Sequence, residues 1–90
     1  MTADVAIVVT ARLLAEVQSW LEKAAALPAG PSTFERKFNL VAHAREALET
    51  SAPDETTEAA YAELLGRVRV AERALDAEME EMRRALGRKR

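Results

Sequence analysis

Ninety residues without a cysteine leave room for one small domain and exclude disulfides and thiolate metal sites as its staples. A formal net charge of −2 gives no global field toward nucleic acid or an anionic membrane. Nineteen alanines, twelve glutamates and ten arginines favour helix. Ordering each residue costs roughly 1.5 kcal/mol, so a core this small needs very regular helices or self-association.

The chain opens on an apolar run, Val5, Ala6, Ile7, Val8 and Val9. The run is too short to span a bilayer, and Arg12 interrupts its continuation. Asp4 is the only early charge, which does not suit a signal peptide. A soluble, cytoplasmic protein is expected. From Val9 onward, Leu13, Val17, Trp20, Ala24 and Leu27 recur at steps of three or four, with Ile7, Leu14 and Leu21 along the edge. That is the stripe of a core-facing helix, expected over about residues 3–26. The run at residues 5–9 also suits an extended strand. A lone strand would find no partner in this chain, so helix is the expectation. Leu27 precedes Pro28, and Ala29, Gly30 and Pro31 make the first joint.

The second segment opens with Ser32, Thr33, Phe34 and Glu35, a capping-box pattern in which Ser32 and Glu35 satisfy each other's amides. Phe34, Phe38, Val41, Ala44 and Leu48 then form one face, with Leu40 and Ala47 beside it, which predicts a helix over about residues 33–50. Ser51, Ala52, Pro53 and Asp54 form the second joint, with Ser51 or Asp54 as the next cap. Asp54, Glu55 and Glu58 suit the positive end of a helix dipole.

The third helix is expected over about residues 54–86, followed by a basic tail at 87–90. Its stripe runs through Tyr61, Leu64, Val68, Ala71, Leu75, Met79, Met82 and Leu86, at close to 3.6 residues per step. That period predicts a near-straight helix rather than a long supercoiled coil. Gly66 weakens its interior by about 1 kcal/mol against alanine.

Short joints favour antiparallel neighbours, so the expected architecture is all-α, a single domain of three helices running up, down and up. At 1.5 Å per residue the middle helix is about 27 Å long and the last about 50 Å, an overshoot of roughly 20 Å carrying Leu75, Met79, Met82 and Leu86. Left in water, each would forgo on the order of 1.5–3 kcal/mol of burial. The expected cover is a second copy in a homodimer, or another helical protein, because methionine adapts to varied surfaces. The interface residues are then Tyr61, Leu64, Val68, Leu75, Met79, Met82 and Leu86. The competing arrangement is a self-sufficient monomer whose last helix frays, or breaks near Gly66 and folds back.

Chemistry-bearing groups are sparse. His43, the lone histidine, falls on the solvent side of its helix, and only Glu46 stands one turn away as a possible companion ligand. Trp20 and Tyr61 read as core anchors with polar rims. Arg83, Arg84, Arg88, Lys89 and Arg90 complement the negative end of the third helix, or else contact phosphate. Arg67, Arg69 and Arg73 would extend that strip, but Glu63, Glu72, Asp76, Glu78, Glu80 and Glu81 are interspersed and offset it. The three serines lack a histidine base in reach. No catalytic residue, cofactor or metal is expected. The leading reading is a non-enzymatic protein-protein interaction module. The alternatives are a nucleic-acid-associated regulator using the basic ends of a dimer, and a small enzyme with its site at a dimer interface.

Overall fold

A computed structural model describes residues 7–88. The fold is all-α, with three helices among the described residues: α1 Ala11–Ala26, α2 Pro31–Glu49 and α3 Glu58–Arg88. Two further segments of two residues each, β1 Ile7–Val8 and β2 Ser51–Ala52, pair in parallel, Ile7 with Ser51 and Val8 with Ala52. Among the described residues no helix is long and apolar enough to cross a membrane.

The start of α1 corrects the expected helix over 3–26. Residues 3–6 lie outside the described residues; Ile7 and Val8 are extended, and the helix begins only at Ala11. The strand does have a partner, supplied by the joint after α2, and the amide of Val9 adds a hydrogen bond to the Ala52 carbonyl at 3.2 Å. Two β-branched neighbours are stiff at χ1 and sit easily in an extended pair. Thr10 then caps α1 by accepting from the amide of Leu13 at 3.1 Å. Leu27, extended ahead of Pro28, closes the helix.

The opening of α2 also departs from the capping box. Gly30 occupies the cap position with φ of +140°, which favours glycine, and Pro31 takes the first helical position. Ser32 therefore lies inside the helix, and its side chain does not cap it. Thr33 donates its hydroxyl back to the carbonyls of Pro28 and Gly30 and holds the joint closed.

The second joint is longer than the sequence suggests, so α3 starts at Glu58 rather than at residue 54. Asp54 Oδ1 accepts from the amides of Thr56 and Thr57 at 2.9 and 3.1 Å and from both their hydroxyls, which holds a turn instead of a helix. The Thr57 carbonyl receives the first helical hydrogen bond, from Tyr61 at 2.9 Å. The hydroxyl of Thr56, then that of Thr57, holds the Asp54 carboxyl below its ordinary 3.8. A depressed folded-state value means that this contribution is complete above the unfolded value and is lost as pH falls through the folded one. Asp54→Ala should lower the melting temperature at neutral pH, with the deficit shrinking below about pH 4. An equal deficit at both ends of that range would show that the carboxylate is not the cause.

The core is one cluster. Val17, Leu21 and Ala24 come from α1, Val41, Ala44 and Leu48 from α2, and Leu64, Val68 and Leu75 from α3. Trp20, Phe34 and Tyr61 pack against it half-buried, and the Tyr61 hydroxyl donates to the Leu48 carbonyl at 2.7 Å. Phe38 does not join: it stays 51% exposed and stacks on Phe34. The row that does face inward is Lys37, Val41, Ala44 and Leu48, at steps of four, three and four. Contacts between α2 and α3 pair in reverse order, Leu48 with Tyr61, Arg45 with Glu72, and Lys37 with Glu78.

The molecule spans 58 × 28 × 17 Å with a radius of gyration of 15.9 Å. A compact chain of this length would have about 12 Å. The long axis follows from α3, whose 31 residues run about 46 Å, against about 24 and 28 Å for the other two helices.

Candidate functional site

The structure divides the expected stripe of α3 in two. Leu64, Val68 and Leu75 are buried in the chain's own core, and Tyr61 is half-buried there. Leu75 is thus covered within the chain, a correction to the expected overshoot: α3 starts at Glu58, and a helix of the length of α2 measured from there extends past Leu75. Farther on, Met82 is half-buried, Met79 is 41% exposed and Leu86 is 71% exposed. The uncovered length of the stripe is the overhang from Met79 to Leu86.

A second apolar surface was not legible as a stripe. Between α1 and α3 lies an open groove of about 770 Å³, walled by Leu21, Ala25 and Leu27 on one side and by Gly66, Val70 and Ala74 on the other. Val70 is 65% exposed, more than any other large apolar residue described except Leu86. Toward the overhang the groove passes into a smaller hollow of about 460 Å³, lined by Ala77, Glu81, Met82 and Ala85 with the first joint; Ala29 and Glu78 belong to both.

The floor of the groove holds a charge pair. Lys37 is buried, and its ammonium donates to Glu78 Oε2. Glu78 Oε1 is also buried and has no hydrogen-bond partner among the described residues. The aliphatic stem of Lys37 serves as groove floor while its tip meets the carboxylate. The signal was present in sequence: Lys37 stands at the head of the inward row of α2. The default that lysine faces solvent concealed it.

Other candidates are placed apart from the groove. His43 is exposed, its ring 6.0 Å from that of Trp20 and tilted 44°. Arg45 bridges Glu49 and Glu72, both at 3.0 Å, and the Glu49 hydrogen bond, then the charges of both carboxylates, raise the guanidinium further above its ordinary range. Arg83 and Arg84 are exposed beside Glu80 and Glu81 of their own helix, at 3.4 and 3.6 Å. Arg88 closes α3, and Lys89 and Arg90 lie outside the described residues. Among the described residues no three His, Asp or Glu side chains gather as a metal site.

No family model, no curated protein and no solved structure matches this chain. The walls of the groove are small and apolar, and Glu63 and Arg67 stand at its rim.

Proposed function

We propose that this chain is a helical interaction module that associates through the C-terminal half of α3, with its helices running up, down and up. The observation that carries the reading is the overhang. Met79 and Leu86 continue the stripe whose earlier members fill the core, yet stand exposed. Burying them against a partner would recover on the order of 1.5–3 kcal/mol per side chain. The reverse-ordered contacts between α2 and α3, together with the short joint before Pro31, support the up-down-up course. Homodimerisation is the simplest form of the association.

The test is molar mass in solution by light scattering after size exclusion, over a hundredfold range of concentration. The native chain should show a dimer. Met79→Glu/Met82→Glu should raise the dissociation constant by about a hundredfold or more, from the loss of two buried apolar side chains, with the helical circular dichroism unchanged. Equal masses for the two proteins would remove the overhang from consideration.

A further inference from the structure

The uncovered part of the stripe has an apolar neighbour on α2. Between α2 and α3 lies a hollow of about 470 Å³ to which Phe38, Val41, Ala42 and Leu75 contribute. Phe38 and Ala42 are exposed there, turned out of the core. At about 100° per residue, Met79 and Leu86 stand about 40° and about 20° around α3 from Leu75, both toward Glu72, which lines the same hollow at about 60°. The ion pair of Lys37 with Glu78 fixes the level, since it sets the next residues along, Phe38 and Met79, at about the same height. Hollow, Met79 and Leu86 therefore form one strip. The hollow is at one end, and Leu86, the most exposed large apolar side chain described, is about 16 Å away at the other.

The strip is complementary to itself in charge as well as in shape. Around the hollow three carboxylates, Glu46, Glu49 and Glu72, stand against one guanidinium, Arg45. Arg45 serves Glu49 and Glu72, and Glu46 is exposed with no ion pair among the described residues. Beyond Met79 the balance reverses: five of the last eight residues are basic, Arg83, Arg84, Arg88, Lys89 and Arg90. A second copy running the same way would set hollow against hollow and basic end against basic end. Turned about a two-fold axis beside Met79, it brings Leu86 and the basic end of each copy over the acidic hollow of the other.

We propose that a second copy of this chain docks on the seam between α2 and α3 about a two-fold axis at Met79, Leu86 of each copy entering the hollow of the other. This rests on the reading of the overhang as an association surface, names its occupant, and adds Phe38 and Ala42 of α2 to that surface. Each α3 crosses its counterpart at Met79 and carries its last turns over α2 of the partner subunit. A methionine suits the crossing, because an unbranched thioether adapts its shape to its own copy. Both ends of both strips are covered in one contact, which closes on itself without leaving a surface for further growth.

Two experiments test it on the full chain. Ala42→Arg, at an exposed position, should weaken the dimer by about tenfold or more with the helical circular dichroism unchanged, since it fills the hollow and sets a cation under the basic end, twice per dimer. Because the chain has no cysteine, single cysteines are clean probes. Met79→Cys, beside the axis, should cross-link to its counterpart with a short bis-maleimide, and Ala42→Cys should cross-link to Leu86→Cys when the two variants are mixed. Gly66→Cys, about 140° around α3 from Met79 and open to solvent, should not link. A dimer that tolerates Ala42→Arg, or that links through Gly66→Cys and not Met79→Cys, overturns the seam as the seat of the second copy; its loss in Met79→Glu/Met82→Glu would still leave the overhang as the association surface. A chain monomeric at every concentration overturns the second copy as occupant, and with it self-association through the overhang.

Discussion

Leu48→Ala should cost about 3–4 kcal/mol and bring the protein close to unfolding at physiological temperature. Leu48 is fully buried and is among the three largest side chains so enclosed. It stands near the end of α2, where its carbonyl also receives the Tyr61 hydroxyl, so the first turns of α3 are held against it. Removing three carbons there forfeits their transfer free energy and leaves a cavity that helices tied on both sides cannot easily close. Ninety-residue domains are stable by only about 5–10 kcal/mol, so the loss is a large share of the total. A shift of roughly 12–25 °C in melting temperature is expected, with the midpoint in guanidinium falling accordingly. A loss under about 1 kcal/mol would mean that the helices repack freely and that the site is not the keystone its burial suggests.

The second large effect belongs to the groove floor. Lys37→Met should destabilise the chain by about 2–3 kcal/mol, because it leaves the Glu78 carboxylate half-enclosed, with one oxygen already unpartnered and the other now losing its ammonium. The value lies below that of a wholly buried pair because the Glu78 side chain retains 21% exposure. Lys37→Met/Glu78→Leu should recover the native stability to within about 1 kcal/mol, since two apolar side chains of similar volume fill the same floor without desolvating charge. A double-mutant cycle by chemical denaturation reads the difference. If the double variant is no better than Lys37→Met, the pair contributes more than its desolvation cost, and Lys37 is there for stability. If it recovers, the pair is retained for another reason, such as setting the relative register of α2 and α3.

These two sites also mark how far the sequence could be read. Periodicity located Val17, Leu48 and Val68 as inward positions, and three helices follow from it directly, because the apolar rows and the proline and glycine joints agree with one another. The departures arise where a local preference depends on a distant partner. The run at residues 5–9 was legible as strand or helix, and what decided it at Ile7 and Val8 was a backbone ladder offered by Ser51 and Ala52, forty-four positions away. The capping box at Ser32 and Glu35 was plausible locally, yet Gly30 and Pro31 already supplied the geometry that Ser32 would have provided. Lys37 was not legible as an inward position because lysine ordinarily faces solvent, and only its partner on α3 makes its burial tolerable. The groove was invisible as a stripe because its walls come from two helices, and its α3 side is built of alanine and glycine, which carry little periodic signal.

The parallel pairing of β1 with β2 has a consequence for how the chain reaches this fold. Ile7 and Ser51 are separated by forty-four residues, and a parallel pair can form only after the intervening helical hairpin has turned back on itself. Its hydrogen bonds are therefore expected to follow the docking of α1 on α2, which φ values near zero for substitutions in this pair would show. Once formed, they fasten the start of α1 to the joint that launches α3. The amide of Val9, bonded to Ala52 and carried by a buried residue, becomes a sentinel for the whole hairpin: hydrogen exchange there reports the opening of the helix pair rather than the fraying of one end.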